Sequence, residues 1–302
     1  MTNYYLGFDL GGTSLKSGFG NSSEGIISFQ TYPLANKTIN NLKKTFLLAL
    51  NDIVRKSKLS KTPNRLLAVG LATPGIINHD TGLILGSSPN LPCLQNMNLK
   101  DLVADITQLP VWTDNDANLM TLAEAKHCSS HSVLGITVGT GIGTGFVVDH
   151  QIFHGEHFRA LEAGHTIVVP QGRQCLCGKK GCLEAYCSAE SIKNLVYESH
   201  PELVNLSLSD IFQHLGGNVQ SIVNNTLSIF GIGIANLIMI LNPGTVVIGG
   251  GVTEITFYNF PLLTEKITSS LTEAFKDVLI KKAKFGNQAG VLGGIYLAES
   301  SM

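Results

Sequence analysis

One pattern occurs twice in this sequence and restricts the possible folds more than any other feature. The stretches are LGFDLGGTSLKSGF at residues 6–19 and LGITVGTGIGTGF at residues 134–146, which align at an offset of 128 positions. Each is typical of a short apolar strand, a turn of glycine and threonine, and a second apolar strand. A chain of 302 residues is long enough for two domains with substantial cores. The repeat therefore predicts two related lobes.

Further strands and helices alternate along the rest of the chain. Apolar strands are expected at 65–75, 109–116 and 244–251, and helical periodicity is present at 40–57, 116–128, 188–200, 219–241 and 260–276. Strands that precede helices indicate α/β layering. The predicted fold class is therefore α/β.

Charge and hydropathy argue against several classes of partner. A formal net charge of −1 gives no electrostatic reason to expect nucleic acid or an anionic membrane. The N-terminus enters YYLGFDLGG without the basic and apolar segments of a signal peptide. The longest apolar run, at 228–241, is too short to span a bilayer and predicts a buried helix. Six cysteines in a chain of this length do not indicate a secreted disulfide scaffold, so a cytoplasmic location is expected.

Three of the six cysteines lie within eight residues of one another. Cys175, Cys177 and Cys182, with His165 upstream, supply three thiolates and one imidazole, a ligand set suited to tetrahedral zinc. Four protein ligands leave no position for a bound water, so the predicted zinc is structural. Reduced surface cysteines without a metal are the alternative. The other cysteines, Cys93, Cys128 and Cys187, are expected to be buried or half-buried thiols.

The glycine-rich turns differ from the familiar nucleotide-binding motifs. GTGIGTG at 139–145 has the wrong spacing for a dinucleotide fingerprint and leads into a strand where that fingerprint requires a helix. The sequence contains no GxxxxGK[ST] motif. Each turn can offer backbone N–H groups and hydroxyls to phosphate oxygens, and two such turns in two lobes favour a phosphate clamp. Tight hairpins without a ligand are the alternative.

These features resemble a known family. DLGGT at 9–13 is similar to the first phosphate loop of the actin-like ATPase superfamily, and within it the chain resembles the ROK family of repressors, open reading frames and sugar kinases. The matching stretches, in family order, are TPGIINHDTGLI (73–84), NDAN (115–118), GTGIGTG, EAGH (162–165), CLCGKKGCLEAY (175–186) and VVIGGG (246–251). The resemblance implies two actin-like (ribonuclease H-like) lobes with an interlobe cleft. The first lobe would comprise 1–118 with a C-terminal helix at 290–302, and the second, with the zinc motif, 119–289.

The resemblance implies ATP-dependent phosphorylation of a hexose hydroxyl, usually the 6-hydroxyl. Glucose is the expected substrate, with N-acetylglucosamine, N-acetylmannosamine, allose, fructose and mannose as alternatives. The family's repressors carry a DNA-binding segment before the first phosphate loop; only three residues precede YYLGFDLGG here, which favours the kinases. A homodimer is also expected from the family.

Asp116 is the predicted general base. It follows Asn115 at a strand end and opens a helix, where the helix N-terminus would lower its pKa and make it a weak base. A helix cap is the alternative role, although Asp114 or Asn115 could fill it.

The resemblance also implies the remaining site residues. The expected sugar contacts are Asn90, Asn115, Asp116, Glu162, His165 and Glu184. For Asn90, between two prolines, a turn-forming role is almost as good. The expected contacts to ATP and Mg²⁺ are Asp9 (for the metal), Gly11, Gly12, Thr13, Lys16, Gly139, Thr140, Gly141, Gly143 and, beneath the adenine and ribose, Gly250. Leu161 departs from the family, which usually has glycine or a small residue before the glutamate of ExGH.

Two other functions compete with the kinase. A non-catalytic sugar sensor on the same scaffold could lose Asp116 or the phosphate loops, and both are present. A zinc-dependent hydrolase would need an open metal position, which four ligands do not leave.

Overall fold

The computed structural model describes residues 2–58, 64–86, 91–213, 217–255 and 258–302. The chain divides into two compact units. The first unit comprises Met1–His127, Ile152–Ala160 and Gln288–Met302, and the second comprises Cys128–Gln151 and Leu161–Asn287. The division expected between residues 118 and 119 falls inside a helix, and the first unit continues to the end of that helix.

The first unit contains a mixed sheet and four of the longer helices. Its elements are β1 (Thr2–Leu10), β2 (Ser14–Asn21), β3 (Gly25–Pro33), α1 (Ile39–Lys58), β4 (Asn64–Thr73), β5 (Ile77–Asn78), β6 (Leu83–Ile84), α2 (Leu99–Thr107), β7 (Val111–Asn115) and α3 (Asp116–Ala125), and the last helix of the chain also belongs to it. The strand order is β3-β2-β1-β4-β7. β1 pairs with β2 antiparallel and with β4 parallel, and β4 pairs with β7 parallel.

The second unit repeats this arrangement around its own sheet. Its elements are β8 (Ser132–Val138), β9 (Ile142–Val148), β10 (Gln151–Ile152, at the boundary), α4 (Glu184–Cys187), α5 (Ala189–Ser199), α6 (Leu208–Gln213), α7 (Asn218–Leu241), β11 (Thr245–Gly249), α8 (Phe260–Ser269) and β12 (Leu279–Lys282). The strand order is β10-β9-β8-β11-β12, with β8 antiparallel to β9 and parallel to β11. Both copies of the repeated pattern are therefore strand hairpins at the centre of a mixed sheet, as predicted.

The C-terminal helix α9 (Ala289–Ser300) packs closely on the first unit's sheet. A Cβ at Gly70 of β4 would lie 1.8 Å from Gly294 O, and a Cβ at Gly293 would lie 1.9 Å from Leu119 O of α3. Glycine is therefore required at residues 70 and 293, because a side chain at either position would collide with the backbone of the neighbouring element. This contact fixes α3 against the sheet and so positions the start of α3.

The amphipathic pattern explains the long helices. Leu42, Phe46, Ala49 and Ile53 recur on one face of α1 and are buried in the first core. α7 is longer than the apolar run that predicts it and, by length and composition alone, could cross a membrane. However, 56% of its most apolar window is buried inside the protein, in the second core, which agrees with the predicted buried helix.

The predicted elements occur in the structure with small shifts in their ends. The largest difference is at 260–276, where the helix stops at Ser269 and a short 3-10 turn at Glu273–Phe275 follows. β3, α2, α6 and β12 were not predicted. α6 is short, and β12 has only partly buried and exposed residues, so neither shows a strong apolar period. α2 does have a helical apolar period, with Leu99, Leu102 and Val103 buried on one face, and the sequence interpretation missed it.

Candidate functional site

The turn from β7 into α3 carries Asp116. The Asn115 side-chain oxygen accepts from the backbone N–H groups of Ala117 and Asn118, at 2.9 and 3.4 Å, so Asn115 is the helix cap. Its amide nitrogen donates to Gly75 O at 3.1 Å. Asp116 is the first helical residue, and its Oδ1 also accepts from Ala117 N, at 2.9 Å. Both ends of the Asn115 amide are engaged by the protein itself, while its sugar contact stays a prediction.

Asp116 is a stronger base than its place at a helix N-terminus predicts. Burial and, after it, the negative charge of Asp9 raise the pKa of Asp116 to about 7. The N–H of Ala117 and the charge of Lys16 lower it by less. The expectation of a weak base is therefore wrong, because desolvation and a like charge outweigh the helix terminus. A carboxylate that titrates near neutral pH is well matched to accept a hydroxyl proton.

Asp9 and Lys16 face each other across the β1–β2 hairpin. They are directly paired in the antiparallel register, and Lys16 Nζ donates to Asp9 Oδ2 at 2.8 Å. Asp9 is only 7% exposed. A Cβ on Gly290 of α9 would lie 2.6 Å from Asp9 Cγ, so α9 closes one side of the carboxylate. A carboxylate held in this way at a strand end suits Mg²⁺, bound directly or through water.

The turn after Asp9 is accessible. Gly11 N donates to Ser14 O at 2.9 Å, and Thr13 O accepts from Leu34 N at 2.9 Å. Gly12 lies between them, and Thr13 is exposed. An accessible turn of this composition presents N–H groups and a hydroxyl, which are donors that phosphate oxygens accept from.

The equivalent turn of the second unit, between β8 and β9, is held from outside. Ala189 N donates to Gly139 O at 2.8 Å, and Ile142 N donates to Glu184 Oε2 at 2.8 Å. A Cβ on Gly141 would lie 2.5 Å from the same carboxylate oxygen. A side chain at residue 141 would therefore have to displace the Glu184 carboxylate, a constraint that the sequence does not reveal.

Three further predicted nucleotide contacts lie near the ends of these strands. Thr140 is in the same turn, and Gly143 is in β9 opposite Thr137. Gly250 follows β11 with a φ of 97°, and a Cβ there would lie 2.5 Å from Val138 O. Gly250 thus has a packing reason to be glycine, and its contact with the nucleotide stays a prediction.

The three cysteines and the histidine converge in the second unit. One ligand atom from each of His165, Cys175, Cys177 and Cys182 lies within 4.8 Å of all the others. Cys175 Sγ is 3.7 Å from His165 Nδ1, and Cys177 Sγ is 3.6 Å from Cys182 Sγ. Ligand atoms around a tetrahedral zinc are about 3.5–3.8 Å apart, given bond lengths of about 2.0–2.3 Å. The arrangement fits a four-coordinate metal.

Burial affects the thiols more than the neighbouring lysines do. Burial raises the pKa of Cys175 and raises the pKa of Cys182 to about 12. Only the pKa of Cys177 is lowered, mainly by the backbone N–H of Lys179. The positive charge of Lys179 makes the smallest contribution to this lowering. A divalent cation would supply the positive charge that the two buried thiolates need.

Cys187 does not belong to this cluster. Its Sγ donates to Thr226 O at 3.5 Å in the second core, and burial raises its pKa strongly. Cys93 and Cys128 are half-buried. All three are buried or half-buried thiols, as expected.

The acidic residues on either side of the cysteines influence each other. Partial desolvation and the charge of Glu184 raise the pKa of Glu162, while His165 lowers it. The charges of His165 and Glu184 thus both act on Glu162 in the second unit. Asn90, the remaining predicted sugar contact, lies outside the described residues.

Leu161, the departure from the family pattern, has an unusual backbone. Its φ is 64°, in the left-handed region that glycine adopts without strain. Its side chain packs against the second core, and its carbonyl oxygen accepts a hydrogen bond from Thr144 Oγ1. Packing therefore compensates for a backbone that favours glycine.

Sequence reasoning missed one polar group next to Asp116. His154 Nε2 lies 2.6 Å from Asp114 Oδ2, and the ring of His79 stacks on that of His154. The two bonded residues are 40 positions apart, so no local spacing reveals the pair.

Comparisons with known proteins show which family this chain matches. A family model described as ROK family matches residues 5–301. The glucokinase of Halalkalibacterium halodurans is 33% identical over 98% of this chain and 95% of its own length. The xylose repressor of Caldicellulosiruptor bescii is 32% identical over 92% of this chain and 74% of its own length. The N-acetyl-D-glucosamine kinase of Aliivibrio salmonicida is 31% identical over 97% of this chain and 99% of its own length. The ROK hexokinase structure from Thermus thermophilus superposes with a TM-score of 0.84 at 28% identity, covering 99% of this chain and 98% of that one.

Proposed function

Because this chain belongs to the ROK family, we propose that it transfers the γ-phosphoryl group of ATP to a hexose hydroxyl. The 6-hydroxyl is the proposed acceptor and glucose the proposed first substrate, since a glucokinase is among the relatives. N-acetylglucosamine is the next candidate, since a kinase for that sugar is also similar over nearly the whole chain.

The observation that supports catalysis best is Asp116 at the N-terminus of α3, with a pKa raised to about 7. We assign it to orienting the sugar hydroxyl and accepting its proton as the phosphoryl group is transferred. Glu162, His165, Glu184, Asn115 and Asn90 are the proposed partners of the other sugar hydroxyls.

ATP with Mg²⁺ would supply the phosphoryl group and neutralise its charge. The turns at 11–13 and 139–143, with Lys16, are assigned to the phosphates, and Asp9 to the magnesium ion. Gly250 is assigned to the nucleoside. The two units are proposed to act as the two actin-like lobes of such an enzyme.

The Cys/His cluster is assigned to a structural zinc. The supporting observation is the donor set, three thiols and an imidazole at tetrahedral spacing. Metal analysis of the purified protein tests this directly: about one zinc per chain is expected, and its absence from protein purified without chelator contradicts the assignment.

A coupled assay with ATP and separate sugars tests the function. The panel is glucose, N-acetylglucosamine, N-acetylmannosamine, allose, fructose and mannose. We expect ADP release with at least one sugar, product phosphate on its 6-hydroxyl by NMR, and loss of turnover in Asp116→Asn. Sugar-independent ADP release, or none with any sugar, contradicts the proposal.

A sugar-binding regulator is the second candidate, because a xylose repressor is also similar to this chain. Such a protein would bind a sugar in calorimetry without consuming ATP. Homodimer formation, proposed from the family, is tested separately by light scattering.

A further inference from the structure

A buried carboxylate lies directly before the proposed catalytic segment. Asp114, in β7, is 2% exposed, and three groups donate to it. Asn115 N and Asn118 Nδ2 reach Oδ1 at 2.7 and 2.8 Å. His154 Nε2 reaches Oδ2 at 2.6 Å. A buried carboxylate needs such donors, since an unpaired charge there would be costly.

These hydrogen bonds restrain the backbone of the turn between β7 and α3, which carries Asp116. Asp114 fixes the N–H of Asn115 and the side chain of Asn118, and so ties the last residue of β7 to the first turn of α3. Asn115 in turn caps α3. Asp116 lies between these anchored residues, so its carboxylate position depends on Asp114 keeping its orientation.

His154 is itself held in a fixed plane. The His79 ring stacks on it at a centroid distance of 4.0 Å and an angle of 27°, and Phe158 packs edge-on against His79 at 4.7 Å. The His154 side chain is 23% exposed. Such packing leaves the imidazole little freedom to turn its Nε2–H away from Asp114.

We infer that His154 is a positioning residue for the phosphoryl transfer: it fixes Asp114, and through Asp114 the turn that presents Asp116 to the sugar. This inference rests on the proposed function. His154 also lies on the segment Ile152–Ala160, which returns to the first unit before the chain enters the second at Leu161. The bond therefore anchors that segment to β7 as well.

The chain offers a matched control. His131 Nδ1 lies 3.0 Å from Asp149 Oδ1. In this second histidine–aspartate pair the His131 side chain is 94% exposed and the Asp149 side chain is 71% exposed. An exposed pair contributes little, so His131→Ala should leave activity and stability near wild type. Differences between His154→Ala and His131→Ala therefore report on the buried bond and not on loss of a histidine.

The first experiment is steady-state kinetics on wild type, His154→Ala, His154→Gln and His131→Ala. His154→Ala should lower kcat by about 10- to 100-fold, because small displacements of a catalytic group are costly. The KM for ATP should change less than about threefold, since the contacts described for the His154 side chain are with Asp114, His79 and Phe158. His154→Gln should recover most of the loss, because its amide can donate to Asp114. Equal kcat in the two alanine variants, or no recovery in His154→Gln, overturns the inference.

The second experiment needs no turnover and therefore separates this inference from the proposed function. Hydrogen exchange is followed by mass spectrometry in peptides that cover residues 113–119. His154→Ala should speed exchange there at least tenfold over wild type, and His131→Ala should not. Unchanged exchange overturns the inference even if the enzyme is an active kinase. Faster exchange in a protein that phosphorylates no sugar supports the anchoring of the turn and removes only the kinase assignment.

Discussion

The two glycine-rich hairpins, β1–β2 and β8–β9, have the same backbone plan and different sources of charge. In the first, Asp9 and Lys16 belong to the hairpin itself and bond to each other. In the second, residues 139–143 contain no charged side chain, and the carboxylate at the turn is Glu184 from α4. The first turn thus brings its own charges, whereas the second depends on a segment 42 residues further along the chain.

This difference predicts that substitutions in the two units have different effects. Glu184 follows Cys182 by two residues, so the Cys/His cluster and the second phosphate turn are joined through a short stretch of chain. In the first unit, Asp9 and the first turn lie on the sheet that α9 packs against, and Asp116 begins the helix that follows β7 of the same sheet. Changes at Asp116 should act on the chemical step, and changes around Glu184 should act on ligand affinity.

The largest effect is expected for Asp116→Asn. The amide can still bond to a sugar hydroxyl but cannot accept its proton, so kcat should fall about 10²- to 10⁴-fold. Sugar affinity by calorimetry should stay near wild type. Asp105→Asn, an exposed aspartate on α2, is the matched control. A variant that keeps more than about a tenth of kcat removes Asp116 from the role of base.

Cys177→Ser should act on affinity instead. Loss of one ligand should release the metal and loosen Glu162, His165 and Glu184, which weakens sugar binding by about 10- to 100-fold. ATP affinity should fall by a smaller factor, since the turn keeps its strand pairing and loses only the support of Glu184. Zinc content, calorimetry with each ligand and far-UV circular dichroism measure this, with Cys93→Ser as control. Unchanged sugar affinity in the zinc-free variant contradicts it.

The pH dependence near neutral pH should follow Asp116 of the first unit. Asp116 must be ionised to accept a proton, so kcat/KM for the sugar should fall below about pH 7, tenfold per unit. Lys16 lowers the pKa of Asp116, so Lys16→Met should move this acid limb to higher pH. Glu184→Gln should leave its midpoint in place. A wild-type rate that is flat between pH 5 and 8 contradicts the role of Asp116.

A smaller effect should separate two glycines of the second turn. An added methyl on Gly141 meets Glu184 Oε2 at 2.5 Å, whereas one on Gly139 meets nothing within 4 Å. Gly141→Ala should displace Glu184 and weaken sugar binding, measured without nucleotide, several-fold, and Gly139→Ala should leave that affinity near wild type. Equal effects of the two substitutions would show that Glu184 is not the cause.

The smallest effect concerns Leu161. Replacing a half-buried leucine usually destabilises a protein, but Leu161→Gly also relieves a left-handed φ of 64°, which costs about 1–2 kcal/mol for a non-glycine residue. The free energy of unfolding in urea should therefore change by only about 1 kcal/mol. Leu161→Ala loses packing without relieving the backbone and should be less stable than Leu161→Gly. The reverse order would contradict this balance.

The sequence by itself determined the central strands, the long helices, the repeated hairpin and the composition of the Cys/His cluster. These follow from local periodicity and spacing: the apolar face of α1, the strand that ends at Asn115 and the helix that opens at Asp116 are each visible within a few residues. Metal-ligating residue types at short spacing are equally local, so four ligands could be named before their positions were known.

Only the tertiary structure decided how the polar groups act. The pKa of Asp116 depends on its burial and on Asp9, which is more than a hundred residues away, and the helix terminus alone gives the opposite direction. The His154–Asp114 and Glu184–Ile142 bonds join residues 40 and 42 positions apart. Desolvation and long-range hydrogen bonds depend on which surfaces pack together, and no local pattern in a single sequence records that packing.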